Sequence, residues 1–198
     1  MISAREVHLS SSEDLVNRNS SIVGNKLTLN AGRDVFNDHG QIGGQQIFIH
    51  ANNDLQNQSG QIVGMGEGSK LSLSAGRDIV LQTLAMVETT NAAGTAKQSN
   101  LDRQATVQGG EISLSAGRDL LLKAASVQAA QDLSMQAVGK IDSQSVATSS
   151  SLQIVTGNDW AGGRTNYLKL QATSYKLHSK ILVASVRGKM PSCCRGGI

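Results

Sequence analysis

The fold class predicted by this 198-residue sequence is all-β: a right-handed parallel β-helix with coils of about 20 residues and an irregular C-terminal tail. Three observations predict it. Segments beginning at Val7, Leu27 and Ile47 align without a gap at a period of 20. Within each unit apolar and polar residues alternate, which is the signature of a strand with one buried face. Aromatic residues make up only 3% of the chain, so the interior must be filled by small aliphatic side chains in repeated layers. A 20-residue unit is also too short for a strand–helix–strand crossover, which needs about 30 residues.

Residues 1–66 read as regular coils. Val7–Leu15, Leu27–Val35 and Ile47–Leu55 share the pattern, and the register persists through Asn17, Asn37 and Asn57, then Ile22, Ile42 and Ile62, then Gly24, Gly44 and Gly64. Residues 67–87 hold a further coil, Leu71–Ile79, after a short Gly-rich extension from Met65 to Lys70. Residues 88–110 are polar and rich in small residues, and are expected to leave the rod as a loop, where contact sites often lie. Residues 111–160 resume with Ile112–Leu120 and degenerate through weaker copies beginning at Leu133 and Leu152, with a last vestige at Leu168–Ala172. Residues 161–198 form a basic tail with seven Lys and Arg and no acidic residue, whereas the first 160 residues carry a net charge of −4. One reading of the tail is a surface for nucleic acid or anionic lipid. The other, preferred here because period and composition change together, is unselected sequence left by truncation or a frameshift.

Equivalent positions of successive coils should lie above one another about 4.8 Å apart, so that six to seven coils make a rod on the order of 30 Å long. The expected core stacks are Val7, Leu27, Ile47, Leu71 and Ile112, and beside them Leu9, Leu29, Ile49, Leu73 and Leu114. Asn17, Asn37 and Asn57 should form an amide ladder. Gly32, Gly76 and Gly117 are read as turn residues tolerant of positive φ, and Asp14, Asp34, Asp54, Asp78 and Asp119 as turn residues that bond nearby amides. A column of aspartates opposes stacking unless it lies at an exposed turn, where Arg33, Arg77 and Arg118 soften the repulsion.

The units Leu71-Ser72-Leu73-Ser74-Ala75-Gly76-Arg77-Asp78-Ile79 and Ile112-Ser113-Leu114-Ser115-Ala116-Gly117-Arg118-Asp119-Leu120 resemble the haemagglutinin-type repeats of filamentous haemagglutinins and contact-dependent inhibition effectors. The likeness runs from about Val7 to Trp160. It implies a β-helical filament of a large exoprotein made by two-partner secretion, with an outer-membrane transporter as one partner. A receptor on a host or neighbouring cell, with glycans as one class, would be the other. The start, Met1 to Glu6, carries no basic, apolar and cleavable leader, so the export signal of such a protein is expected on a longer polypeptide of which this chain is a fragment. No secretion domain, toxin domain or family receptor site maps onto these residues.

No catalytic, cofactor-binding or metal-binding residue is assigned, and no small-molecule substrate is expected. His8, His39, His50 and His178 occupy different coil positions and read as exposed polar residues without ligand spacing. Cys193 and Cys194 are adjacent, unlike a zinc or redox motif. The stretch Gly64–Lys70 lacks the phosphate-loop interval and precedes a strand, and the Gly-Gly-x-Gly-x-Asp nonapeptides of calcium-binding β-rolls are missing. The enzymatic alternative is a carbohydrate-active β-helix, whose site would gather carboxylates and bases at irregular positions. Here five of the ten aspartates instead recur at one turn.

Overall fold

The computed structural model describes the backbone of residues 1–89, 96–156, 168–178 and 180–183, and the side chains of residues 1–85 and 101–145. Every regular element among them is a strand. Three parallel sheets wind into a right-handed β-solenoid of about six coils. Each coil contributes a long strand to the first sheet, a four-residue strand to the second and a strand of up to four residues to the third. In the first complete coil these are Glu6–Ser11, Leu15–Arg18 and Ser21–Val23.

The alternation in sequence becomes alternation in burial. Lys26–Ala31 and Gln46–Ala51 bury every second residue. In the first sheet Val7 pairs with Leu27, Leu27 with Ile47, Ile47 with Leu71, Leu71 with Ile112, and Ile112 with Leu133. The neighbouring column runs Leu9, Leu29, Ile49, Leu73, Leu114, Met135 in the same register. Leu27, Leu29, Ile47, Ile49, Leu71, Leu73, Ile112 and Leu114 are buried, as is Val7, whereas Leu9, in the first coil, is only partly covered. Leu133 and Met135, in the last strand of the same sheet, are likewise partly covered. A stack needs a neighbour on both sides to close it.

The second sheet brings Leu15, Val35, Leu55, Ile79 and Leu120 into one column and Ile141 into its last register position. The third does the same for Ile22, Ile42, Ile62, Val107 and Val127. The three inner faces merge in a single core without an aromatic side chain among its buried residues. Burying each Leu or Ile in it contributes about 1.5–3 kcal/mol.

Three expectations about the irregular parts change. The polar segment 88–110 is not simply a loop: Ala85–Thr89 and Ala96–Leu101 pair antiparallel, and the chain has re-entered the third sheet at Thr106–Gly109. The copies expected at Leu152 and at Leu168–Ala172 are not coils; they lie in an antiparallel pair, Val146–Thr156 with Leu168–His178. Their apolar–polar alternation is common to any strand with two unlike faces, so it could not distinguish a coil from a hairpin. Within the segment 161–198, Lys180–Val183 pairs in parallel with Ser126–Ala129 and so continues the third sheet. The change in charge at residue 161 therefore does not mark where the solenoid stops. Cys193, Cys194 and the region around Trp160 lie outside the described residues.

The core stacks make a direct test. Replacing fully buried Leu73 by Ala should cost about 2–5 kcal/mol in urea unfolding, whereas Phe48→Ala, on the outer face of the adjoining strand, should change stability by less than about 0.5 kcal/mol.

Candidate functional site

Two edges of the rod carry its polar chemistry. The first is the turn between the first and second sheets, where the repeated aspartates stand. Each aspartate accepts the backbone N–H of the residue one coil further on: Asp14 Oδ1 from Asp34 at 3.2 Å, Asp34 from Asp54 at 3.0 Å, Asp54 from Asp78 at 3.2 Å, Asp78 from Asp119 at 3.2 Å, and Asp119 from Lys140 at 2.9 Å. The arginines reach back by one coil to the same carboxylates. Arg77 grips Asp54 through Nε (3.1 Å) and Nη2 (2.7 Å), Arg118 grips Asp78 in the same two-pronged way, and Arg33 pairs with Glu13 at 2.8 Å and Asp14 at 3.6 Å. A column of like charges is thus interleaved with donors, and an Arg fork suits a carboxylate in this role.

The glycines of this turn serve a purpose other than the expected positive φ, which among described glycines occurs only at Gly66 and Gly68. A Cβ on Gly32 would lie 2.1 Å from the Ser12 carbonyl oxygen, and one on Gly76 2.0 Å from that of Asn52. Close approach of successive coils is what requires them. Where Asn52 or Val138 stands instead, the backbone bond to the preceding coil lengthens to 3.2 Å, against 2.8–2.9 Å at Gly32, Gly76 and Gly117.

The second edge is the corner between the second and third sheets. Asn17, Asn37 and Asn57 are buried just before it, and each amide donates onward: Asn17 Nδ2 to Asn37 Oδ1 at 2.8 Å, Asn37 to Asn57 at 2.7 Å, and Asn57 to the Gly60 carbonyl at 3.0 Å. The corner residues Asn19, His39, Ser59 and Ala124 all adopt a left-handed backbone with φ between 47° and 54°. By register Thr83 and Ser145 fill the same corner in their own coils. These two positions are where the antiparallel hairpins depart. One insertion leaves after Thr83 and returns at Ala105, which matches Ala125 in the next coil. The other leaves after Ser145 and returns to the third sheet at Lys180. The two hairpins join each other, Ala96–Gln98 against Ser150–Leu152, in one four-stranded side sheet.

The base of the first insertion is firmly bonded. Buried Thr83 donates its hydroxyl to the Ala124 carbonyl at 2.7 Å and accepts the Ala105 N–H at 3.0 Å. Ser59 Oγ accepts the Leu84 N–H at 3.0 Å, and the Asp102 N–H donates to the Leu84 carbonyl at 2.9 Å. Arg103 donates to the Ser59 carbonyl at 3.0 Å and to the His39 carbonyl. His39 is flanked by Asp38 at 2.5 Å and by Asp102, while Arg18 holds the far oxygen of Asp38 at 2.7 Å. The His39 ring is raised above its ordinary range by the Asp38 bond first and the Asp102 bond second, against burial. Asp38 is lowered, by the His39 bond and then by Arg18.

In the sequence His39 is one of four scattered histidines, and Asp102 and Arg103 stand in no motif. A signal was present: Asp38-His39 interrupts a corner that elsewhere carries Gln58-Ser59 and Gln82-Thr83. Pairing it with Asp102, 63 positions later in the chain, required the path of the insertion. Among the described residues no group of three His, Cys, Asp or Glu is arranged to hold a metal. His50 bonds Ser74 and Asn52, and His8 lies near Glu6. Concavities of about 580 and 370 Å³ lie along the third sheet, beside Arg5 and Met65 and beside Ser69 and Gln131; one of about 310 Å³ lies on the outer face of the first, beside Phe48 and Ser113.

Comparison with protein-family models finds no match for this chain, and neither curated proteins nor solved structures match it.

The aspartate column should be visible in acid. Arg118 foremost, with the Asp119 N–H, holds the Asp78 carboxyl below its ordinary value of 3.8 against burial. Its contribution is therefore present above that value and is lost as pH falls through the lowered one. Asp78→Asn keeps an acceptor for the Asp119 amide but removes the charge that Arg118 grips. The variant should be less stable than the native chain near neutral pH and lose less stability between about pH 5 and pH 2, measured as the urea midpoint against pH.

Proposed function

We propose that the chain is a structural and adhesive repeat segment of a large secreted, haemagglutinin-like surface exoprotein, and that it is not an enzyme. In this reading it forms part of a filament at the bacterial cell surface, exported through an outer-membrane two-partner transporter, that attaches to a host or neighbouring cell or presents a further domain to it. The observation that carries the reading is the continuity of the coil. The apolar columns of all three sheets run unbroken past the first insertion, the third sheet resumes at Lys180–Val183 after the second, and both hairpins leave the rod at the same corner. That division suits a spacer that displays lateral elements at intervals along its length. The resemblance of the Ala-Gly-Arg-Asp units supplies the class of protein.

Among the described residues, the irregular polar cluster of Arg18, Asp38, His39, Asp102 and Arg103 is the candidate place for a carbohydrate-active site. Its groups are bonded to one another and to backbone carbonyls at the base of the insertion. A carboxylate so engaged is poorly placed to exchange protons with a sugar.

A deletion variant tests the proposal. Residues 84–104 can be removed by joining Thr83 to Ala105, since their counterparts Ala124 and Ala125 are directly bonded. The purified full chain should bind cells or immobilised surface glycans saturably and release no new reducing ends from a panel of polysaccharides. The deletion should keep its β-rich circular dichroism and lose most of the binding. Polysaccharide cleavage that disappears in Asp102→Asn, or absence of surface binding by the full chain, would overturn the reading.

A further inference from the structure

We infer that His39 is a pH-operated clasp: as an imidazolium it bridges Asp38 on the solenoid to Asp102 on the insertion, and on losing its proton it frees the base of the insertion from the corner. The inference does not depend on the proposed adhesive role.

The geometry requires the charged ring. Nδ1 of His39 meets an Asp38 carboxylate oxygen at 2.5 Å and Nε2 meets one of Asp102. A carboxylate accepts hydrogen bonds and does not donate, so each ring nitrogen must carry a proton, and only the imidazolium has both. A neutral ring can keep one partner and must turn a lone pair toward the other. Among the described residues four charged groups face His39 or its backbone. Arg18 and Asp38 approach from the second sheet, and Asp102 and Arg103 from the insertion.

Removing the central charge leaves two carboxylates about one imidazole apart. Arg18 continues to balance Asp38, at 2.7 Å. Among the described residues no side-chain cation takes the place of the ring for Asp102: the Arg103 guanidinium is directed to the carbonyls of Ser59 and His39, and its N–H is the backbone bond to Asp102. Asp102 is therefore the contact that is released. Thr83 and Arg103 continue to hold the neck, so the opening is local.

The direction with pH follows. His39 is raised above its ordinary value of 6.5, so the clasp is fully closed below that value and is lost as pH rises through the raised one. Asp38 is held low by the His39 bond first. At Asp102 burial works the other way, and the Arg103 N–H and then the His39 ring outweigh it to hold that carboxyl low as well. On the acid side the clasp is lost as pH falls through their lowered values. It is closed between these limits and opens on alkalinisation.

Two variants isolate the effect. His39→Asn suits the left-handed backbone at this corner, because Asn19 occupies the same corner one coil earlier with φ of 47°. Asp102→Asn keeps the shape of the partner and removes its charge. Hydrogen exchange of the Leu84 and Asp102 amides is followed by NMR on the full chain from mildly acidic to alkaline pH, and the ring nitrogens of His39 are titrated in the same samples. Native protection should exceed that of His39→Asn by roughly fivefold while the ring is charged, a modest factor because the cluster is partly exposed. The ratio should fall to one as His39 titrates, and Asp102→Asn should lower the ring's midpoint. A ratio that stays constant with pH, or a midpoint unmoved in Asp102→Asn, overturns the inference.

Discussion

Parallel backbone pairing between successive coils is the constraint from which the rest of the molecule follows. A parallel ladder in unbroken register places residue i of one coil over its counterpart in the next, as Leu27 over Val7 and under Ile47. Every choice made at a coil position is therefore made several times, and any side chain must be compatible with copies of itself at the strand spacing. Leu, Ile, Val and Ala meet that condition by filling a continuous column. No aromatic ring is among the buried residues of these columns.

Polar residues face the same requirement, and three solutions appear along one rod. Asparagine is both donor and acceptor, so a buried column of it bonds head to tail and ends on a glycine carbonyl. Aspartate is acceptor only, so its column alternates with the backbone N–H groups of the next coil and with arginines reaching back. When the asparagine column ends, Leu81 and Leu122 take its place in register. The substitution is complete: both members of each bond are replaced together, and no buried side-chain nitrogen or oxygen among the described residues is left without a partner.

Both hairpins leave the axis at one corner; the short extension after Gly64 lies between the third and first sheets. The left-handed residues Asn19, His39, Ser59 and Ala124 turn the corners that carry no hairpin, whereas Thr83 and Ser145, where the hairpins leave, are not among them. Thr83 shows how the junction is closed: a single hydroxyl bonds both the next coil and the returning strand. The two hairpins leave corners two coils apart and share a sheet, so the side sheet also braces the rod along its length.

The repeat made the solenoid legible before any coordinates: the 20-residue period, the alternation around Leu29 and Leu73, and the columns of Asn and Asp are local regularities that a chain displays on its own. Other features were illegible because a strand pattern does not reveal its partner. Leu152–Ile154 and Leu168–Leu170 alternate as a coil does, yet pair antiparallel with each other. Gly32 and Gly76 read as turn glycines, yet answer to a carbonyl of the previous coil. What the sequence determined by itself is the periodic object, because period, polarity and residue size are properties of the chain alone. Only the tertiary structure decided which corner the insertions leave from and that His39 meets Asp102, because contacts between residues far apart in sequence depend on the path taken by everything between them.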